Sequence, residues 1–539
     1  MQYDPSFLPY PSARYPVYAN RGMVATSSPQ ASAAGLHAMR MGGNAMDAAV
    51  AAAAALTVVE PTSNGIGSDA FALVWIEKDR RLYGLNASGW SPRDITIEKV
   101  LAQNPSERKM PAYGWTPVMV PGAPKAWAKL NGRFGRLPLT TVFAPAIDYA
   151  REGYPASVNL ARQWALAFNR YSRMAQSPEF SQWLQTFAPN GAPPRPGSLV
   201  RLPDHADTLE KIGKSCAEDF YKGELMERMV KDSRAFGGYF CEEDFSEYDA
   251  AFVEPATVNY RGYDICEIPP NGQGIVALMA LNILKEFEFS QKECADTYHK
   301  QWEAMKLAFA DGLHYITDPG CMAVSYQDLL QPSYGALRAA QIGEKAGTPV
   351  PGAPPKSGTV YLCTADGEGN MVSYIQSNYM GFGSGVVVRG TGSSLQNRGY
   401  DFSLDPADYN CLAPRKKTYH TIIPGFILKD GNAVGPFGVM GGYMQPQGHV
   451  QVVMNMIDFH LNPQQALDAP RWQWLREGRF AVEDSFPAEI ARQLAARGHK
   501  VEIALDSGTF GRGQIILRGP EGSLVGGTEK RTDSNIACY

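Results

Sequence analysis

The sequence predicts a large α/β fold, and three features predict it. Strand and helix patterns both occur in the chain of 539 residues, with strands at either end of a mainly helical stretch from 120 to 330. The apolar run at residues 45 to 59, AMDAAVAAAAALTVV, is mostly alanine and too short to span a bilayer, so it reads as a buried core helix. A Pro-, Gly- and Ala-rich break at 344 to 358 is followed at once by a β-hairpin pattern. At about 150 residues per domain the length suggests three or four domains, but a large α/β sandwich can run this long as one unit. Hydrophobic residues make up 44% and charged residues 19%, which supplies a sizeable core and excludes global disorder. The net charge of −4 offers no basic excess for a nucleic acid or an anionic membrane.

The elements follow in order. GMVAT (22 to 26) reads as a short strand. TSSPQASAAG opens a helix, with Ser28 as N-cap and Pro29 at the first helical position. After the MGGN break, Asn44 caps the alanine-rich helix. EPTSNGIGSDAF is a glycine-rich turn, and FALVWIE with RRLYGLNAS forms a hairpin. Residues 120 to 330 are mainly helical, as at 141 to 152, 208 to 232 and 296 to 313, with short strands around 252 to 268. TVYLCTA and NMVSYIQ then pair across DGEGN. TIIPGFILKDGNAV and the Gly-rich GVMGG precede a helix at 447 to 460, and VEIAL and GQIILR close the chain as strands. No internal repeat is visible.

The first 22 residues carry neither a basic n-region nor an apolar run of signal length, so no secretory signal is expected. The eight cysteines are scattered without a CxxC pair, which points to reduced thiols in the cytoplasm rather than disulfides or a zinc site. The histidines show no metal spacing, and His37 and His460 are expected on helices. SNGIGSDAF lacks the lysine and spacing of a phosphate loop, so no cofactor is called for.

The linker at 344 to 358 fits a domain boundary or a cleavable segment that presents Thr359 at the head of a strand. A threonine hydroxyl is a poor nucleophile without an adjacent base. If Thr359 is N-terminal, its own α-amino group, with a pKa of about 7.7 to 8.0, can be that base. Releasing it requires attack on the Gly358 carbonyl, and glycine tolerates the strained backbone such an acyl shift needs. A Gly-Thr pair before a strand is common and does not establish this by itself.

The segment GTVYLCTADGEGNMVSYIQSNYMGFGSGVVV resembles the small-subunit start of the gamma-glutamyltransferase family, and GMVATSSPQASAAGLHAMRMGGNAMDAAVAAAAALTVVEPTSNGIG resembles its large-subunit start. PRWQWL and the Gly-Gly before QPQGH also fit, and the likeness runs over essentially the whole chain in order. The resemblance implies an Ntn-hydrolase αββα sandwich, two stacked sheets between helical layers. It implies a proenzyme cut between Gly358 and Thr359, whose fragments 1–358 and 359–539 stay together as a heterodimer in one folded unit, with a dimer of heterodimers left open. By position it makes Thr359 the nucleophile, puts Ser377 where a family threonine contacts the nucleophile's amino end, and makes Gly441 and Gly442 the backbone donors of an oxyanion hole. Gly-Gly also fits an ordinary turn.

Four departures bear on the substrate. Ser88 stands where the family has the arginine that grips the glutamate α-carboxylate, and a hydroxyl does not replace a bidentate guanidinium; the nearest arginine is Arg93. His420 and Thr421 stand in place of a Ser-Ser pair, and Tyr379 in place of an asparagine. The stretch from Phe402 to His420 is shorter than the lid-bearing segment of bacterial gamma-glutamyltransferases. Asp401 matches the aspartate that binds the substrate amino group. QSNYMGFGSG, LQNRG, FSLDP and YHTIIPG resemble the amidohydrolase branch of the family, which implies hydrolysis of oxamate to oxalate and ammonia in purine (allantoin, oxalurate) breakdown. Arg398, His420 and Thr421 are the expected contacts to such a small amide acid, with Asn397 and Gln445 beside them; Arg398 also fits a structural ion pair and His420 a satisfied polar residue. The competing expectations are a gamma-glutamyltransferase (glutathione hydrolase), a cephalosporin-acylase-like amidase, and an unprocessed, non-catalytic binding protein.

Overall fold

The computed structural model describes residues 14–103, 105–348, 358–475 and 478–539. Two antiparallel seven-stranded sheets organise it. The first runs, in spatial order, Asn535–Cys538, Gly22–Thr26, Gly358–Asp366, Met371–Tyr379, Asp69–Ile76, Arg81–Ala87 and Ala251–Val253. The second runs Val17–Ala19, Leu524–Thr528, Arg512–Arg518, Asn432–Met440, Gly425–Lys429, Tyr263–Glu267 and Ala256–Tyr260. Both sheets mix strands from before and after residue 358.

Strand periodicity explains how the sheets stack. Along Gly22–Thr26, Met23 and Ala25 face one way and Val24 the other. Met23 and Ala25 join Phe71, Leu73, Tyr361, Ile375, Phe426 and Ile516 in one apolar cluster, drawn from both sheets. Val24, Ala72, Val74, Leu362 and Val372 face outward into a second cluster with helices Pro29–Arg40, Ala45–Val59, Ala123–Phe134 and Leu139–Glu152. Ile265, Ile427, Val439 and Ile515 do the same on the far side with Gly274–Leu284, Ala295–Tyr315 and Met444–Ile457. The result is the αββα sandwich, and it leaves strands buried on both faces.

The alanine-rich helix Ala45–Val59 is buried at every position, which small side chains make feasible between neighbours on all sides. Asn44 caps it as expected: its Oδ1 accepts from Met46 N and Asp47 N, and Asp47 returns a bond to Asn44 N at 3.0 Å. The hairpin turn DGEGN works through Asp366. Its Oδ1 accepts from Glu368 N and Asn370 N, Gly369 takes φ +90°, and Oδ2 accepts from Ala45 N at 3.0 Å. The turn is thereby tied to the N-terminus of the buried helix, where a carboxylate is favoured.

Some expectations are corrected. Ser28 stands at the N-cap with Pro29 following, but its hydroxyl donates to Gln30 Oε1 and caps no backbone N–H. The helical stretch 208 to 232 is three helices, Pro203–Ser215, Glu218–Lys222 and Glu224–Ala235. Left-handed backbone at Cys216 and Ala217, φ +50° and +69°, breaks the first from the second. His460 lies beyond the helix Met444–Ile457 at φ +55°. The closing segment adds strands Leu524–Thr528 and Asn535–Cys538 to those read from the sequence.

Of the expected linker, residues 344–348 form no regular element and 349–357 lie outside the described residues. The eight cysteines carry free thiols. Among the described residues no helix is long and apolar enough to cross a membrane.

Candidate active site

Thr359 is placed opposite an irregularity in the neighbouring strand, where Ser377 and Asn378 together face it. The register between Gly358–Asp366 and Met371–Tyr379 shifts between Gly358 and Val360, so Thr359 sits opposite a bulge, a device that re-aims a side chain. It is fully buried, and its Oγ1 lies 3.0 Å from Ser377 Oγ. Ser377 Oγ also accepts from Tyr379 N at 2.8 Å, which holds the serine hydroxyl against the threonine. Either hydroxyl can donate across the pair.

Tyr379 then turns the chain. Its φ is +73°, an unfavourable region for a bulky aromatic residue. The turn lays its ring against Arg398, whose Cζ is 4.0 Å from the ring centroid; a desolvated contact of this kind contributes about 2 kcal/mol. The Tyr379 hydroxyl donates to Asp401 Oδ1 at 2.6 Å, and Tyr443 OH reaches the same oxygen at 3.4 Å.

Arg398 opens a short 3-10 turn, Arg398–Asp401, and only 1% of it is exposed. Its Nη1 donates to Thr421 Oγ1 at 2.8 Å and to Asp401 Oδ2 at 3.3 Å. Its Nε and Nη2 are buried without a hydrogen-bond partner among the described residues. Leaving a charged donor unmatched costs about 1–3 kcal/mol or more, a cost that an acceptor reaching this guanidinium would relieve. Burial pushes the Asp401 carboxyl up to about 6, although the Arg398 charge pulls it down.

Gly441 and Gly442 end strand Asn432–Met440 at φ +143° and +62° and lead into helix Met444–Ile457. A side chain at Gly441 would lie 3.1 Å from Gly511 Cα. Gln273 ties this turn to the arginine cluster: its Nε2 donates to Gly442 O at 2.8 Å and to Thr421 O at 2.6 Å. Gln445 accepts from Ile423 N at 2.9 Å through Oε1, and its Nε2 is buried without a partner among the described residues.

The other expected residues lie as follows. His420 is fully buried, with Nε2 3.0 Å from Asp69 Oδ2. Ser88 is buried and donates to Asn86 Oδ1 at 2.7 Å, and the next residue, Gly89, donates its N–H to Asp69 Oδ1 at 3.2 Å. Asn397 has both amide ends on backbone, accepting from Met380 N at 3.2 Å and donating to Ala112 O at 2.8 Å, which makes it a loop anchor. Arg93 pairs on the surface with Glu247 at 3.2 Å. Thr359, Ser377, Tyr379, Arg398, Asp401 and Thr421 thus form one contact chain, with Gly442 joined to it through Gln273. Gln273 and Asp69 escape sequence reasoning, although NGQG before an apolar helix and the lone acid in SNGIGSDAF were their signals.

Elsewhere His299, Glu303 and His499 converge within reach of one another. Lys306 Nζ lies 2.5 Å from Glu303 Oε1 and also donates to Gly347 O, so an ammonium takes the cationic place there.

Comparison with known proteins shows the family to which this fold belongs. The Gamma-glutamyltranspeptidase family model matches residues 31–539. The glutathione hydrolase-like YwrD proenzyme of Bacillus subtilis is 35% identical over 96% of this chain and 98% of its own. The oxamate amidohydrolase proenzyme of Klebsiella pneumoniae is 34% identical over 97% and 99%. The solved cephalosporin acylase from Bacillus halodurans superimposes with a TM-score of 0.97 at 56% identity, over 100% of this chain and 99% of that one. The chain therefore belongs to the gamma-glutamyltranspeptidase family of Ntn hydrolases. It is an enzyme, a hydrolase acting on amide bonds.

Proposed function

We propose that this chain cuts itself between Gly358 and Thr359 and that the freed Thr359 hydrolyses the amide of a short acyl group bearing a carboxylate, with oxamate as the smallest such substrate. Self-cutting follows from Thr359 Oγ attacking the Gly358 carbonyl; water then splits the ester, leaving fragments 1–358 and 359–539 as a heterodimer. In turnover the α-amino group takes the hydroxyl proton, Oγ attacks the amide carbonyl, ammonia leaves with the proton, and water releases oxalate from the acyl-enzyme. Ser377 orients the hydroxyl. The backbone at Gly441 and Gly442 meets the oxyanion, where one donor is worth about 3–4 kcal/mol.

The observation that carries the reading is Arg398, buried against Tyr379 at the end of the strand next to the nucleophile's, with Nε and Nη2 unmatched among the described residues. A carboxylate accepts two such donors at once. A gamma-glutamyl group also needs a partner for its ammonium, and Asp401 is already engaged by Tyr379, Tyr443 and Arg398. The similarity to a solved cephalosporin acylase supports a second reading, an amidase for larger amides. A cleft of about 440 Å³ lined by Leu166, Met380, Gly441, Tyr443 and Trp474 favours it, being in the range that buries drug-sized ligands, roughly 300–1,000 Å³. The unpaired thiols suit a reducing compartment, so we place the enzyme in the cytoplasm.

Ammonia release from oxamate, set beside p-nitroaniline release from a gamma-glutamyl anilide and from a carboxylated acyl anilide, tests these readings. Turnover of oxamate with little from the gamma-glutamyl anilide is expected. A clear preference for the gamma-glutamyl anilide would sink the oxamate assignment, and exclusive turnover of the carboxylated acyl anilide would favour the acylase reading.

A further inference from the structure

Asp69 and His420 form a buried pair that neither the nucleophile nor the oxyanion turn uses. Asp69 begins strand Asp69–Ile76, where it is the Cα partner of Ser377. His420 lies between Tyr419 and Thr421. Each is at most 1% exposed, and they meet at 3.0 Å between Nε2 and Oδ2. One residue belongs to the stretch before the proposed cut and the other to the stretch after it.

The contacts define the proton. Ile422 N donates to His420 Nδ1 at 3.4 Å, so Nδ1 is the acceptor and Nε2 carries the hydrogen given to Asp69. The backbone around the ring is pinned as well. His420 N donates to Asn271 O at 2.9 Å, and Gln273 N donates to His420 O at 2.9 Å. The next residue, Thr421, is the one whose Oγ1 accepts from Arg398 Nη1 at 2.8 Å. Asp69 Oδ1 takes the Gly89 N–H at 3.2 Å.

We infer that Asp69 and His420 are positioning residues that hold Thr421, and through it the Arg398 guanidinium, in the orientation that receives the substrate carboxylate. This rests on the reading of Arg398 given above. Burial pushes the Asp69 carboxyl up to about 7, against the charges of Arg398 and Lys417, while burial together with those two cations holds His420 well below its ordinary range. The imidazole is therefore neutral at pH 7, and its tautomer is set by Asp69.

Asp69→Asn reverses this. Oδ1 of the new amide stays with Gly89 N, its NH2 faces the ring, and the ring proton moves to Nδ1, where it meets the Ile422 N–H. The experiment uses the processed enzyme. Nitrogen-15 shifts should report the Nε2–H tautomer in the wild type and its loss in Asp69→Asn. KM for oxamate should rise on the order of ten-fold or more, the usual weight of one charged hydrogen bond, with kcat changing far less. KM for oxamide, which lacks the carboxylate, should move less than two-fold. His420→Gln, which can donate to Asp69 and accept from Ile422, should restore oxamate KM to within about three-fold, whereas His420→Leu should not. An unchanged tautomer in Asp69→Asn, or equal losses on oxamate and oxamide, would overturn the assignment. Should Asp69→Asn fail to fold, the Gln-against-Leu contrast at 420 decides it. If the wild type turns over neither compound, the Arg398 reading has failed, and the tautomer still decides whether Asp69 controls His420.

Discussion

At the scale of the residue, the site depends on two side chains with opposite demands. In the proposed mechanism Thr359 needs to become a chain end. Thr359→Ala removes the oxygen that attacks Gly358, so intact mass spectrometry should show one uncut chain without activity, while Thr359→Ser should cut slowly. A wild-type chain that stays full-length after long incubation would contradict self-processing and favour a non-catalytic binding role. Arg398 keeps two donors, Nε and Nη2, without a partner among the described residues, and in the proposed reaction these receive the substrate carboxylate. Arg398→Gln keeps a neutral donor but removes charge and fork geometry, and a charged bond is worth about 1.5–3 kcal/mol. The expected result is a rise in oxamate KM of about 10- to 100-fold with self-cutting intact; an unchanged KM would place the substrate carboxylate elsewhere.

The element scale shows how local sequence rules and long-range contacts share the work. Asn44 is a local signal, a cap followed by an apolar run, and it holds up in three dimensions through Met46 N and Asp47 N. Asn44→Ala should cost about 1 kcal/mol in a denaturant titration. The Gly441–Gly442 turn is different. Its φ of +143° at Gly441, and a space so tight that an added Cβ would lie 3.1 Å from Gly511 Cα, come from packing against the residue that leads into strand Arg512–Arg518. Gly441→Ala is expected to lower kcat and the melting temperature together, because both the backbone direction and the fit to Gly511 are lost. Thr359 shows the same division. Its strand is legible from TVYLC, but the bulge that aims it depends on Tyr379 and Ser377 in the neighbouring strand.

Across the whole molecule the two stretches on either side of Gly358 are interleaved. Gly22–Thr26 and Asp69–Ile76 flank the hairpin that carries Thr359, on opposite sides. After cutting, separation would expose strand edges and the apolar cluster between the sheets, so the fragments should co-elute under native conditions and part only in denaturant. A buried ion network braces the start of strand Arg512–Arg518, where Arg471 donates to Gly511 O and Glu529 accepts from Gly513 N. Arg471 and Arg531 both pair with Glu529, and Arg531 also pairs with Glu483. Arg531→Met would leave two buried carboxylates short of a partner, at about 3–5 kcal/mol. The two arginines, outweighing burial, hold Glu529 down to about 2 against an ordinary 4.5. Its folded pKa is the lower one, so its stabilisation is complete above about pH 4.5 and is lost as the pH falls through about 2. Thermal melts between pH 6 and 2.5 should show the wild type losing this contribution and Arg531→Met losing less; parallel curves would count against it.

The sequence by itself determined the α/β class, the hairpins, the cap at Asn44 and the family, because periodicity, turn chemistry and ordered motifs are properties of neighbours along the chain. It also pointed to Thr359, Ser377 and Arg398 as one neighbourhood, through motif order. Only the tertiary structure decided what each polar group has for a partner. Asn397, a candidate contact, bonds through its amide to Met380 N and Ala112 O, and Arg398 has Nε and Nη2 without a partner among the described residues. Asp69 and His420, 351 positions apart, meet at 3.0 Å across the proposed cut. Burial and hydrogen-bond satisfaction are sums over whatever the fold brings near, and no local pattern encodes them.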